Sequence, residues 1–292
     1  MVVTFNSAAH IGALLDSLPA ASGGLPLDVV VVDNGSADGT AELVEARGDC
    51  RVVRESNRGY AAGINTGVAA VPDATQILIL NPDARVQAGA IPALFGAMER
   101  HGAGIVAPRI VDDDGRPSRS LRRAPTLGRA SGLGFTGWPA VTEYVTDPGD
   151  YETEHPVDWA LGAALLVDAR CHHELGGWDE SYFLYSEETD FCLRAADAGW
   201  ATWYTPAAEV VHEGGGSGRS PQTHAMQIVN RVRLYTRRHA RPSAAAYYLL
   251  TVASELTWLA RGNPSCRASL AALLRPSRRP AELAAGEALL PR

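Results

Sequence analysis

The sequence predicts an α/β fold, a mostly parallel sheet flanked by helices. Three observations carry this. Apolar runs of strand length recur, the stretches between them have helical spacing, and the runs close in short turns rich in Asn, Asp and Gly. "LDVVVVDNGS" holds a continuous valine run of the kind buried on both faces of a parallel sheet. Strands that alternate with helices at this interval need crossover connections, hence parallel pairing.

The elements follow in order. Residues 1–5 begin an apolar strand, and residues 8–18 have helical spacing. The valine run ends at Asp33-Asn34-Gly35-Ser36, and "SADGTAELVEARG" then opens a helix with Asp38 and Thr40 as cap candidates. "CRVVRES" reads as a third strand and "GYAAGINTGVAAV" as a small-residue helix. "ILILNPDARV" is a buried strand that stops at Asn81-Pro82-Asp83, because proline has no N–H to give the ladder. Between residues 111 and 156 regularity fades in a stretch rich in Gly, Pro, Arg and Asp. It is longer than most structureless connections, so it is expected to be functional or disordered. Order returns with "VDWALGAALLVDARCHHELGGWDESYFLYSEETDFCLRAADAGW" and "ATWYTPAAEVVHEGGGSG"; beyond Ser220 the pattern is helical. No internal repeat is visible.

Composition narrows the function. The 292 residues are 46% hydrophobic and 20% charged, enough to bury a sizeable core in a folded soluble protein. A net charge of -7 gives no field that would attract nucleic acid. There is no lysine among the 26 basic residues, which excludes Schiff-base chemistry and a Walker-type phosphate loop. The cysteines, Cys50, Cys171, Cys192 and Cys266, form no C-x-x-C pair. Their spacing implies neither a disulfide framework nor a structural zinc site, as befits a reducing cytoplasm. Cys171, His172 and His173 are adjacent, and adjacent side chains diverge on a helix. Met1 leads at once into strand-like residues, with no signal peptide; the shortness of this first strand leaves open a start upstream.

In a parallel sheet the tips Thr4-Phe5-Asn6, Asp33-Asn34-Gly35-Ser36 and Asn81-Pro82-Asp83 fall on one edge. A lone tip acid is a turn former or a holder of cation and phosphate. Two acids at neighbouring tips, beside a glycine-bearing turn, make a nucleotide crevice.

The segments "VVTFN", "VVVVDNGSADGT", "NRGYAAGINTG", "ILNPDA", "WALGAALLVDA", "GGWDESYFLYSEETDFCLR" and "GWATWYTPAAEVVHEGGGS" occur in this order. Over residues 1–240 the chain resembles the inverting family-two glycosyltransferases of the GT-A fold. It is most similar to the bacterial rhamnosyltransferase branch that builds cell-wall and surface polysaccharides. The resemblance implies a GT-A, Rossmann-like, mostly parallel sheet with an acceptor-side subregion and a helical C-terminal tail. Residues 1–110 would be the nucleotide-sugar-binding half, 111–220 the acceptor and catalytic half, and 221–292 a helical extension.

It also implies roles. Asp33 would accept from the base imide N–H, Thr4 and Asn6 would line the base and ribose pocket, and Asn34, Asn57 and Asn65 are nucleotide-side candidates. Asn81-Pro82-Asp83 stands where the family has its Asp-x-Asp element, with Asp83 on a divalent cation, Mn²⁺ or Mg²⁺, that bridges the diphosphate. His212 would complete the metal shell and favour Mn²⁺; its other reading is structural. Arg219, in "GGGSGRS", would contact phosphate from a closing loop. Glu188 aligns with the base that takes the acceptor proton, most often Asp in the family, and Glu187 is the runner-up. Crowding of Glu187, Glu188 and Asp190 raises at least one pKa, although Asp190 is spaced to pair with Arg194. Trp159 and Gly162 match the segment bordering donor sugar and acceptor, and Trp178 and Asp179 lie on the acceptor side. Arg58 stands at a usually apolar family position and is not read as catalytic.

The partners so implied are a nucleotide-diphosphate sugar, with dTDP-rhamnose favoured, and a glycan or lipid-linked acceptor. Residues 243–260 are apolar, yet a bilayer span needs about 20 apolar residues and Glu255 interrupts the run. Arginines flank the segment on both sides, which suits a helix on an anionic membrane surface at the inner face of the plasma membrane. The other reading is a helix pair packed on the catalytic domain or across a homodimer. A nucleotidyltransferase needs a Gly-rich loop with Arg and Lys near the first strand, which is missing. A non-catalytic glycan-binding module would not need the acids at Asp33, Asp83 and Glu188.

Overall fold

A computed structural model describes residues 1–213, 220–283 and 289. The elements of its first half are β1 (Val2–Thr4), α1 (Ile11–Ala21), β2 (Val30–Asp33), α2 (Thr40–Arg47), β3 (Arg51–Arg54), α3 (Tyr60–Ala69), β4 (Gln76–Leu80), β5 (Ala84–Val86), α4 (Ala90–His101) and β6 (Ile105–Val111). The second half adds β7 (Leu121–Arg122), α5 (Leu127–Ala130), β8 (His155–Val157), β9 (Trp159–Ala160), β10 (Ala164–Asp168), α6 (Ala169–Glu174), α7 (Glu187–Asp197), β11 (Thr202–His212), α8 (Pro221–Arg238), α9 (Arg241–Ala260) and α10 (Cys266–Leu274).

The main sheet runs β3-β2-β1-β4-β10-β6-β11-β5, with β8 paired to β11. Its first four strands are parallel, in the register Val2↔Val31 and Thr4↔Asp33, with Leu80 opposite Val2. The carboxyl ends of β1, β2 and β4 therefore share one edge, as the apolar runs predict. Beyond β4 the sheet is mixed: β10 lies antiparallel between β4 and β6, and β11 is parallel to β6 but antiparallel to β5. Such long-range insertions leave no local signature in the sequence.

Buried side chains cover both faces of the sheet. Ile11, Leu14, Val31, Ile91 and Leu94 fill one core, and Ile64, Ile79, Ile105, Leu165 and Phe191 the other. Helix α2 starts one residue after the position an Asp38 cap would set and one before that of a Thr40 cap. Gly39 holds the cap position at φ 87°, and Asp38 instead accepts from the Thr40 N–H at 3.1 Å and the Ala8 N–H at 3.0 Å. The irregular stretch after β6 is pinned rather than loose. The Tyr151 hydroxyl donates to the Val145 carbonyl at 3.1 Å and accepts from the Leu121 N–H at 3.3 Å.

The C-terminal helices pack on one another and on the sheet domain. Helix α8 opens with a capping box, Ser220 with Thr223, and has Pro221 in its first turn. Tyr235 stacks on Tyr247 at 3.8 Å between ring centres, and Val229 and Val232 are fully buried. Burial of each such valine contributes roughly 1.5–3 kcal/mol. Helix α9 turns Tyr247, Tyr248, Thr251 and Glu255 inward and leaves Leu249 and Leu256 exposed. No described helix is long and apolar enough to cross a membrane.

Candidate active site

A cleft of about 1430 Å³ opens at the carboxyl edge of β1, β2 and β4 and runs along the N-terminal end of α7. Of the residues singled out from the sequence, Thr4, Asn6, Asn34, Asn57, Asn81, Asp83, Trp159, Gly162, Glu188 and His212 line it.

The first wall is built from strand tips. Asp33 is 3% exposed and accepts from the Thr4 hydroxyl at 3.0 Å, the Ser36 hydroxyl at 2.5 Å and the Ser36 N–H at 3.0 Å. Three of the roughly four acceptor sites of a carboxylate are thus taken by its own turn. Asn6 sits at φ 52° and accepts from the Ala37 N–H at 2.8 Å, which locks the β1 tip to the β2 turn. Asn34 donates to the Gly59 carbonyl at 3.0 Å, and Asn57 accepts from the Gly59 N–H at 3.1 Å.

The second wall is the turn after β4. Asp83 is 7% exposed, and its Oδ1 lies 3.2 Å from Nε2 of His212 at the end of β11. Antiparallel pairing of β5 with β11 sets this contact, since His212 is opposite Ala84. Burial pushes the Asp83 carboxyl up, but the hydrogen bond and charge of His212 outweigh it and hold the group below the usual range. Asn81 accepts from the Tyr60 hydroxyl at 2.9 Å and lies 3.3 Å from His212 Nε2. The same hydroxyl reaches the Gly162 carbonyl at 3.3 Å. Burial raises the Tyr60 phenol, with Glu187, Glu188 and Asp83 adding to the effect, so it stays a neutral donor.

The third wall presents the acids. Phe183, Tyr185 and Ser186 all have positive φ, at 54°, 68° and 74°, immediately before Glu187. Non-glycine residues there cost of order 1–3 kcal/mol each, so the surrounding structure must impose the conformation. Two devices do so. Gly59, at φ 99°, lies against Phe183, where a Cβ would come within 2.4 Å of the Phe183 carbonyl oxygen; the Tyr60 N–H then donates to that oxygen at 2.7 Å. From α8, the fully buried Asn230 shares its amide N–H groups among the carbonyls of Tyr182, Leu184 and Tyr185, at 2.7, 3.0 and 3.0 Å. Arg233 braces Asn230 at 3.0 Å.

This clamp was not legible in the sequence, because a mid-helix Asn carries no motif. Asn230→Ala should cut kcat about 10²-fold through misplacement of the acids, while the donor KM holds. Steady-state kinetics with melting curves check it. A stability loss with kcat unchanged would reduce Asn230 to a purely structural residue.

Glu188 faces the cleft, with the Gly162 Cα region against its side chain, and its Oε2 has no hydrogen-bond partner among the described residues. Burial raises its pKa, while backbone N–H groups of the helix start and the Arg122 charge pull it back. Glu187 is 4% exposed, is not on the cleft wall, and also leaves Oε2 unpartnered among the described residues. Burial and then the Glu188 charge push it well above the usual range. The pair is thus divided by position: Glu188 lines the cleft and Glu187 is buried behind it, and burial raises both carboxyls. Asp190 is the partner of Arg194 at 2.6 Å, as its spacing predicts.

Other expectations are displaced. Trp178 is 3% exposed and stacks on Phe191 at 4.6 Å, so it is core and not an acceptor wall. Asp179 caps the turn at Ser181 and pairs with Arg237 at 2.9 Å, away from the cleft lining. Asn65 bonds the Trp178 N–H and carbonyl, both at 2.9 Å, and so ties α3 to that turn instead of facing a nucleotide. Trp159 is only 8% exposed; its indole N–H donates to the Arg123 carbonyl at 3.1 Å and Arg122 lies 5.7 Å over its ring. It stands in the cleft wall with its indole N–H already engaged. Arg58 pairs with Glu180 at 3.0 Å on the surface. Arg219 lies outside the described residues. Arg122, buried at the cleft beside Glu188, escaped sequence reasoning because it lies in the irregular stretch.

A mostly parallel sheet with acids at the carboxyl edge of its parallel half, and a carboxylate-bearing helix start across the cleft, is the GT-A arrangement. Comparison with known proteins agrees. The chain matches the family described as Glycosyl transferase family 2 over residues 1–146, half its length. It is 34% identical over 243 residues to an N-acetylglucosaminyl-diphospho-decaprenol L-rhamnosyltransferase of Mycobacterium tuberculosis, covering 77% of this chain and 78% of that protein. It is 30% identical over 172 residues to the low-salt glycan biosynthesis hexosyltransferase Agl10 of Haloferax volcanii, covering 58% of this chain and 53% of the relative. Solved structures share the fold. GalNAc-T7 with UDP, GalNAc and Mn²⁺ superposes with a TM-score of 0.62 at 14% identity, over 80% of this chain and 46% of that one. The chain thus spans under half the length of that structure. The mannosyltransferase PcManGT of Pyrobaculum calidifontis, with GDP-Man and Mn²⁺, gives 0.57 at 18% identity, over 93% and 77% of the two chains. The chain belongs to glycosyltransferase family 2, and it is a glycosyltransferase.

Proposed function

We propose that this chain is a metal-dependent inverting glycosyltransferase that moves a sugar from a nucleotide diphosphate, best rhamnose from dTDP-rhamnose, to a hydroxyl of a glycan or lipid-linked saccharide. The observation that carries the reading is the shared cleft: Glu188, with an unpartnered carboxylate oxygen, and the Asp83–His212 pair line the same space. Rhamnose and a lipid-diphosphate acceptor are supported by the name of the mycobacterial relative.

Thr4, Asn6, Asn34 and Asn57 line the base and ribose side, and the remaining acceptor site of Asp33 serves the base imide. Asp83 and His212 fit a divalent cation, since a carboxylate and an imidazole stand together, largely buried, at the cleft; the nitrogen favours Mn²⁺ over Mg²⁺. When bound, the cation neutralises the diphosphate charge. Glu188 takes the proton of the acceptor hydroxyl as that oxygen attacks the anomeric carbon, and the nucleoside diphosphate leaves from the opposite side. Burial and the Glu188 charge disfavour a second negative charge on Glu187 beside the base. Tyr60 fixes Asn81 against Gly162 and so holds the two walls in register.

The acceptor side carries the case for a membrane surface. Phe135 and Trp138 are 60% and 71% exposed, and Leu249 and Leu256 on α9 are 64% and 53% exposed. Arg261 lies 4.9 Å over Phe135 and 5.3 Å over Trp258. Apolar surface with arginine at its edge suits peripheral contact with anionic lipid, where a lipid-linked acceptor resides. A homodimer would cover the same patch.

One assay tests the reading: nucleotide products from a panel of sugar nucleotides with Mn²⁺, with lipid-linked acceptor supplied in detergent or in anionic vesicles. dTDP release from dTDP-rhamnose, faster with acceptor in vesicles at low salt, is expected. Pyrophosphate release would establish a nucleotidyltransferase instead, and turnover of no donor a non-catalytic module.

A further inference from the structure

The helical extension carries a second cluster of metal-ligating side chains, apart from the Asp83–His212 pair. His224 in the first turns of α8, Glu255 towards the end of α9 and Cys266 at the start of α10 converge. His224 Nε2 lies 2.9 Å from Glu255 Oε2 and 3.8 Å from Cys266 Sγ, and the three ligand atoms fall within 4.8 Å of one another. The cluster is the sole such group of three among the described residues.

We infer that His224, Glu255 and Cys266 bind one zinc ion, each ligand coming from a different helix and the remaining coordination position facing the cleft. Zinc takes nitrogen, oxygen and sulfur ligands at about 2.0–2.3 Å, so tetrahedral neighbours stand about 3.4–3.6 Å apart. The sulfur–nitrogen spacing needs little change, and the nitrogen–oxygen pair must open by about half an ångström from its hydrogen-bonded distance. All three residues line the cleft wall, which leaves the open side that a three-ligand zinc site requires. The Ser269 hydroxyl donates to Glu255 and thereby orients the carboxylate, as residues behind metal ligands do.

Burial argues for a use beyond packing. Glu255 is 4% exposed and Cys266 fully buried, on helices whose other inward residues are mostly apolar or aromatic. A buried ion pair is rarely more stabilising than apolar residues of the same size. Helix packing alone therefore does not call for a carboxylate, an imidazole and a thiol at one point. The sulfur also separates this site from the Asp83–His212 pair, because thiolate selects zinc over Mn²⁺ or Mg²⁺. Zinc would join α8, which clamps the Glu187–Glu188 loop through Asn230, to α9 and α10. The inference does not depend on the proposed reaction.

The test uses the full chain carrying Asp83→Ala, which removes the other cation site. After chelator treatment, zinc is titrated against a chromophoric competitor, and cobalt is then substituted to report thiolate ligation by its near-ultraviolet charge-transfer band. One equivalent of zinc, a raised melting temperature on zinc addition and a cobalt–thiolate band are expected. Adding Cys266→Ser should abolish the band, and His224→Ala should weaken zinc at least about 10²-fold, more than loss of a residue that only orients a ligand. Absence of stoichiometric zinc, or a band that survives Cys266→Ser, overturns the inference. Should Cys266→Ser fail to fold, the band and stoichiometry in the Asp83→Ala protein, with its dependence on His224, decide the matter.

Discussion

Replacing Asp83 with alanine is expected to abolish sugar transfer and to remove the metal-dependent part of nucleoside diphosphate binding. The carboxylate stands at the tip of the parallel half of the sheet, 7% exposed, with the His212 imidazole at 3.2 Å. The negative charge of a departing diphosphate is stabilised by a cation held at this carboxylate. Because the Asp83 pKa is depressed, the stabilising contact with His212 is present above the ordinary carboxylate range and is lost only as pH falls through the lowered value. His212→Ala should weaken the metal less, since one carboxylate with phosphate oxygens can retain a divalent cation. Calorimetry of dTDP binding with and without Mn²⁺ measures both variants. An Asp83→Ala protein that keeps its metal dependence would remove this residue from the donor site.

Much of this site was visible as strand punctuation. The tips of β1, β2 and β4 each follow an apolar run, and parallel pairing leaves them on one edge whatever the distant topology. Local pattern could not show that β10 runs antiparallel through the middle of the sheet, because that pairing joins residues about 90 positions apart. The acids at 187 and 188 were legible as a pair, but their division was not: it depends on which one points into the cleft and which into the core. Trp178, Asp179 and Asn65 do not line the cleft. They sit in two matched segments, yet their hydrogen bonds and stacking go to the turn at residues 178–181, to Arg237 and to Phe191. The reason for Gly59, the close approach of Phe183, belongs to tertiary structure. The same holds for Cys266, whose partner His224 lies 42 residues upstream and whose partner Glu255 lies on another helix, with no spacing motif to join them.

Glu188→Gln carries the second large effect. The amide keeps the shape of the side chain but takes no proton, so turnover should fall by roughly 10²–10⁴, the usual share of a general base. Donor affinity should hold, because Glu188 sits at the helix start and the donor contacts at the strand tips. The raised pKa of Glu188 sets the direction of the pH profile. Activity climbs as pH passes through a value above the ordinary carboxylate range, when the base loses its proton. Glu187 is raised further by burial and by Glu188, so stability falls as pH rises through its folded value, where the native state binds the extra proton. Glu187→Gln reproduces the protonated state and should remain active while gaining stability at alkaline pH. The direct measurement is therefore turnover of the two glutamine variants side by side, with donor binding followed in parallel. Assigning Glu188 as the base predicts a Glu188→Gln enzyme that binds donor but transfers roughly 10²–10⁴ times more slowly, beside a working Glu187→Gln enzyme. A working Glu188→Gln enzyme, or a dead Glu187→Gln one, would contradict it.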